Sequence, residues 1–256
     1  MAERKADYSQ IADVYDAARG PDKPHVEWWV NRLAEAGELG PGKWLLDLGC
    51  GTGRWVILLV ERTGCGAVGV DHSPEMLAKA RAKDAEGRVK WALGDVCAPP
   101  VLNETFDCAL MSLMLHHLDD PLVAFRAAFA ALRPGGVLLV RQGTLEQIAD
   151  DPAHRFFPEA ITVDRKRTPL RSEVEAWLRE ARFADVQPDV VRQRFQDSPE
   201  EWLLEVEPRV VSVLRLIPDE AHARGLARLR EYINAHPQDP WLVEHSMTLF
   251  VGRKPS

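Results

Sequence analysis

From Trp44 onward the chain alternates short, largely apolar runs with longer segments whose apolar residues recur every three or four positions. Trp44 to Leu48, Ala67 to Val70, Val89 to Ala92, Phe106 to Met111 and Val137 to Val140 are brief, apolar and closed within a few residues by Gly, Asp or Ser. Such runs read as strands covered on both faces, and the amphipathic intervals between them predict βα units, hence a parallel sheet with helices on both sides. Ser73-Pro74-Glu75 sets a capping hydroxyl, a first-turn proline and an acid at the start of a helix running toward Lys83. Asp120-Pro121 opens another, with apolar residues at 122, 125, 129 and 132, which Pro134-Gly135-Gly136 stops before the fifth strand.

Past Arg141 the pattern loosens. Ser172 and Glu175 have capping-box spacing ahead of Val174, Trp177 and Leu178, and Ala184 to Phe195 reads as extended. A second box, Ser198-Pro199-Glu200-Glu201, opens a helix through Trp202, Leu203, Val206, Val210, Val213 and Leu214, with a break expected at Pro208. Pro218-Asp219 starts a further helix carrying Leu226, Leu229 and Ile233, and Met247 to Val251 reads as a closing strand. With no repeat, low-complexity tract or linker in view, residues 1–256 are expected to form one domain. Its parts are a helical lead-in over 1–40, a core over 41–142, and a second sheet half over 143–256 with a helical cap at about 196–244.

A chain of 256 residues can bury one core without staples. Its net charge of -7 lacks the electrostatic footprint of a protein that grips a phosphate backbone, which disfavours nucleic acid as a partner. The four cysteines, Cys50, Cys65, Cys97 and Cys108, include no CxxC pair and no histidine at zinc-ligand spacing, so they read as reduced thiols and no metal site is expected. No run approaches the ~20 apolar residues of a membrane span, and a cytoplasmic protein is expected.

The sharpest chemical signal is Leu45-Leu46-Asp47-Leu48-Gly49-Cys50-Gly51-Thr52-Gly53-Arg54, a buried strand entering a triple-glycine turn that opens a helix. Glycines let a ligand approach the main chain, and a helix N-terminus favours an anionic group. A dinucleotide fingerprint would need a small residue at 54, where Arg54 stands. The segment resembles instead the first motif, hhDhGxGxG, of the class I S-adenosylmethionine-dependent methyltransferases. The resemblance continues in order: Asp71, 22 residues after Gly49, then Gly94-Asp95-Val96, Phe106-Asp107 with Met111-Ser112-Leu113, and Leu132-Arg133-Pro134-Gly135-Gly136.

The resemblance implies an α/β, Rossmann-like, doubly wound sheet of seven strands, mostly parallel with the last antiparallel, and helical cap or lid insertions. It implies S-adenosylmethionine as cofactor. Asp47, Gly49, Cys50, Gly51 and Gly53 would form its glycine loop, Asp71 would hold the ribose hydroxyls, and His72 and Met76 would stand beside it. Gly94, Asp95 and Val96 would hold the adenine, and Ser112 and Leu113 the methionine end. Tyr15 and Arg19, in a segment similar to the lead-in helix of small-molecule members, would close over that end.

Methyl transfer from a sulfonium is an in-line displacement that alignment alone can accelerate. Where the acceptor must lose a proton, His116 and His117 in Leu115-His116-His117-Leu118 are the candidate bases. Ser112-Leu113-Met114-Leu115 stands where adenine-amino and cytosine methyltransferases carry Asn/Asp-Pro-Pro-Tyr or Pro-Cys, which disfavours those acceptors. The lid is expected from residues 1–40, 143–182 and 196–244, with Trp28, Trp29, Phe156, Phe157, Trp177, Trp202 and Trp241 in those stretches. The basic run Arg165-Lys166-Arg167, extended by Arg171, suggests an anionic substrate. The expected function is methylation of a small molecule at O, C or N; a tRNA or protein methyltransferase and a non-catalytic cofactor binder are the alternatives.

Overall fold

The computed structural model describes residues 24–148, 151–194, 196–238, 241 and 244–256. In chain order the elements are α1 (Pro24–Ala36), β1 (Trp44–Leu48), α2 (Arg54–Thr63), β2 (Gly66–Asp71), α3 (Pro74–Lys83), β3 (Val89–Leu93) and β4 (Phe106–Ser112). A 3-10 turn at Leu115–His117 leads to α4 (Pro121–Ala131) and β5 (Leu132–Gln142). Next come α5 (Pro152–Phe156), α6 (Glu159–Arg167), α7 (Arg171–Glu180), β6 (Ala184–Gln193), α8 (Pro199–Val206), a second 3-10 turn at Ser212–Arg215, α9 (Asp219–Ala235) and β7 (His245–Arg253).

The seven strands form one sheet in the order β3-β2-β1-β4-β5-β7-β6. β1 to β5 pair in parallel, and β7 runs antiparallel to both β5 and β6. Strand alternation divides the core even though both faces are covered. Leu46, Leu48, Leu138 and Val140 join the cluster under α4 and α7, while Leu45, Val137 and Leu139 join the one under α1 and α2.

Local chemistry fixes the helix starts. Ser73 Oγ accepts from Met76 N at 3.2 Å and Asp120 Oδ1 from Leu122 N at 3.1 Å, each followed by proline at the first helical position. Ser198 Oγ accepts from Glu201 N at 3.1 Å, and the Glu201 carboxylate in return accepts from Asp197 N at 2.7 Å. The long apolar segment after Ser198 breaks as expected: α8 ends at Val206 and resumes only as the 3-10 turn.

Three details differ from the sequence pattern. Ser172 lies inside α7, whose start is tied by Glu173 accepting from Leu170 N at 2.7 Å. Pro134-Gly135-Gly136 does not precede β5 but lies within it, as an irregularity between the Phe106–Leu132 and Cys108–Val137 pairs. α7 covers the sheet: Val174 and Leu178 enter the main core and Trp177 meets Phe125 at 6.3 Å, so this part of 143–182 is not lid. A third core, including Ala153, Phe156, Phe157, Trp202, Leu229 and Trp241, gathers α5, α6, α8, α9 and the second 3-10 turn into a cap.

Candidate active site

Strand order reverses between β1 and β4, the place where ligands enter open α/β sheets. Here a cavity of about 820 Å³ opens, with the glycine loop on one wall and the cap on the other.

The loop is built by β2. Val70 O accepts from Gly49 N at 2.8 Å and from Cys50 N at 3.0 Å. The Asp71 carboxylate accepts from Gly51 N at 2.8 Å and from Ser73 N at 2.9 Å, joining the loop to the start of α3. Each oxygen keeps one further lone-pair site for a ligand donor. Gly51 (φ +55) faces open space, whereas a Cβ on Gly53 (φ +76) would stand 2.5 Å from Trp91 Cη2. Gly53 therefore serves the turn and its packing. It caps α2 without a side-chain acceptor, which leaves the first-turn N–H groups of that helix to a ligand.

Asp47 is 2% exposed and lines the cavity from within β1. Burial, and then the neighbouring charge of Asp71, pushes its pKa up to about 8. Among the described residues its carboxyl has no ion pair, so the site offers a neutral acid at pH 7 that a bound cation would ionise. Burial first, then Asp47, also pushes the Cys50 thiol up, which keeps it protonated.

Of the residues singled out from sequence, Asp47, Gly49, Cys50, Gly51, Asp71, His72, Met76, Asp95, Val96, Ser112, Leu113 and His117 line the cavity. Gly53, Gly94 and His116 do not. A Cβ on Gly94 would meet Pro100 Cδ at 2.5 Å, a packing constraint. The His116 ring lies 4.1 Å from that of His117 at a tilt of 47°, with Nδ1 3.5 Å from Gln142 Nε2, which puts it behind the cavity wall. Tyr15 and Arg19 lie outside the described residues. Leu113 holds φ +54, a left-handed conformation that costs a branched residue about 1–3 kcal/mol, and its N–H donates to Arg141 O at 2.8 Å.

Sequence reasoning expected the opposite wall from the lid stretch 196–244 with Trp202, but it named none of that wall's polar residues and missed Arg141. Arg141, 3% exposed at the end of β5, stacks 4.6 Å over Trp29 and 4.9 Å over Trp55 and donates to Ser112 Oγ at 3.3 Å. His245 Nδ1 and Asp151 Oδ2 are 3.9 Å apart, and both line the cavity. From the cap come Gln196, Trp202 and Glu205. The Trp202–Glu205 spacing of three on a predicted helix was a readable signal for one shared face; nothing in the sequence joins Asp151 to His245. The basic run turns elsewhere. Arg167 donates to Asp164 at 3.1 Å and to Ser212 Oγ at 2.7 Å, Asp164 also meets His154 Nε2 at 3.0 Å, and no residue of 164–171 lines the cavity. That hydrogen bond to Asp164 is the main reason the His154 pKa is raised.

The sheet order, the glycine loop at the switch point and the carboxylate ending β2 define a class I methyltransferase fold. Residues 45–136 match the family model described as a methyltransferase domain. It is 33% identical over 146 residues to the malonyl-[acyl-carrier protein] O-methyltransferase of Serratia marcescens, covering 56% of this chain and 54% of that one. The chain spans about half the length of the curated relatives it matches. Among solved structures it is similar to a methyltransferase from an antibiotic biosynthesis pathway of Anabaena variabilis, with TM-score 0.78, 17% identity, and 93% and 99% of the two chains covered. It is also similar to phosphoethanolamine N-methyltransferase 2 of Haemonchus contortus in complex with S-adenosyl-L-methionine, with TM-score 0.68, 22% identity, and 97% and 57% covered.

Proposed function

We propose that the protein transfers a methyl group from S-adenosylmethionine to a small-molecule acceptor. The observation that carries this reading is one continuous cavity bounded by the glycine loop, Asp47 and Asp71 on one side and by cap residues on the other. The chemistry of the donor set fits the cofactor. Asp47 is a buried acid suited to an ammonium, Asp71 and Asp95 offer acceptors to hydroxyl and amine donors, and Met76 and Val96 give apolar walls for a base. Arg54, Arg141 and the first-turn N–H groups of α2 suit a carboxylate. When bound, the cofactor supplies an electrophilic methyl on a sulfonium.

The chain's own contribution is alignment. Asp71 holds the loop in register with α3, Leu113 and Ser112 deliver β4 into the cavity, and the cap excludes water over the acceptor. His117 and His245, which both line the cavity, are our candidates for taking an acceptor proton. We assign cofactor binding to residues 41–142 and acceptor binding to the cap stretches within 143–256. We also read the protein as cytoplasmic, in keeping with four cysteines of which none forms a disulfide. Among the described residues no helix is long and apolar enough to cross a membrane.

Calorimetry with S-adenosylmethionine and S-adenosylhomocysteine, followed by release of S-adenosylhomocysteine over a panel of small metabolites, tests the reading. Binding of both nucleosides and turnover with at least one metabolite is expected; absence of cofactor binding would overturn it.

A further inference from the structure

The cap end of the cavity carries a carboxylate in search of a cation. Glu205 is 8% exposed and lines the cavity, and its one hydrogen bond among the described residues comes from Gln196 Nε2 to Oε1 at 3.0 Å. Gln196 is itself 6% exposed and lines the same wall. A neutral amide orients the carboxylate without compensating its charge, and Glu205 makes no ion pair among the described residues. A buried carboxylate is costly until a cation or strong donor meets it. Three residues back on α8, and so on the same helix face, Trp202 also lines the cavity. A second acid, Asp151, borders this end with His245. The arginine of the cavity's inner wall, Arg141, is held between Trp29 and Trp55 and bonded to Ser112.

We propose that the acceptor is a small molecule bearing a protonated amine, whose ammonium Glu205 holds by a charge-assisted hydrogen bond with the Trp202 indole alongside. Carboxylate and indole together make the surroundings that favour an ammonium over a neutral or anionic group. The proposal deepens the methyltransferase reading and rests on it. It also reverses the anionic substrate suggested by the basic run on α6.

The test uses protein saturated with S-adenosylhomocysteine, titrated by calorimetry with phenethylamine, 2-phenylethanol and 3-phenylpropanoate, three molecules of similar body and different charge. Phenethylamine is expected to bind about tenfold or more tightly than the other two. In Glu205→Gln that preference should vanish while affinity for S-adenosylhomocysteine stays within about twofold of wild type. Should Glu205→Gln not fold, Glu205→Asp keeps the charge, and the amine preference should persist with weaker binding. Tighter binding of the carboxylate, an amine preference unchanged in Glu205→Gln, or no amine binding at millimolar concentration overturns the proposal. Failure of wild type to bind S-adenosylhomocysteine would instead strike the methyltransferase reading itself.

Discussion

Replacing Asp47 with Asn is expected to stabilise the cofactor-free protein and weaken cofactor binding. The carboxyl moves from an ordinary value of 3.8 to about 8 because β1 buries it beside Asp71. Between those two values the folded chain holds a proton that the unfolded chain has released, so this group's contribution to stability falls as pH rises from about 4 to 8. At pH 7 about three pH units of that window have been crossed, and at 1.36 kcal/mol per unit the cost reaches about 4 kcal/mol. The amide of the Asp47→Asn variant is neutral in both states and escapes it. Urea unfolding of both proteins without cofactor should give a difference near zero around pH 4, growing to about 4 kcal/mol at pH 7 and levelling above pH 8. In the same variant, loss of a charge-assisted contact to the ammonium should weaken S-adenosylmethionine binding by about 1.5–3 kcal/mol. A stability difference that does not change with pH, or an Asp47→Asn protein less stable than wild type at pH 7, would refute the reasoning.

Asp71→Ala leaves Gly51 N and Ser73 N without their acceptor, at about 1–3 kcal/mol each, and should abolish S-adenosylhomocysteine binding by calorimetry; wild-type affinity would contradict the loop geometry. The hydrogen bond from His154 to Asp164 raises the folded pKa above the unfolded value of 6.5. The stability it adds is therefore complete below that value and lost as pH rises through the folded pKa. Urea midpoints followed by tryptophan emission should fall across that range in wild type and lose that dependence in His154→Gln. Gly225→Ala would set a Cβ 2.1 Å from Phe157 Cδ1 and should lower stability by about 1–3 kcal/mol or more, read as a drop in melting temperature. Arg165→Gln with Lys166→Gln, both exposed and off the cavity, should leave fragment affinities unchanged in the same calorimetric titration.

The sheet was legible because β1, β2, β4 and β5 are largely buried and stand out as apolar runs, and because Ser73, Asp120 and Ser198 mark their helices with local hydrogen bonds. β5 was harder to delimit, since Leu132 pairs with Phe106 before a glycine-rich irregularity that reads as a turn. The cofactor wall was legible for a related reason: a glycine turn and the acid ending β2 are local in sequence. The acceptor wall was not, because Asp151, Glu205 and His245 come together only through β6 and β7 folding back on β5. Gly53 and Gly94 illustrate the opposite limit. Their need for a small residue is plain in the chain, but Trp91 and Pro100, not a ligand, impose it.

The third core has a consequence for how specificity is changed. Its helices pack chiefly on one another, and the two stretches that build it, 151–167 and 196–241, are separated in sequence by α7 and β6 yet knitted by Arg228 donating to Phe156 O at 2.7 Å and Arg224 to Glu159 at 2.7 Å. The cap is thus a two-piece cassette. Exchanging one piece alone would sever those bonds and leave mismatched aromatic surfaces, whereas exchanging both together would install a different acceptor wall over an untouched sheet.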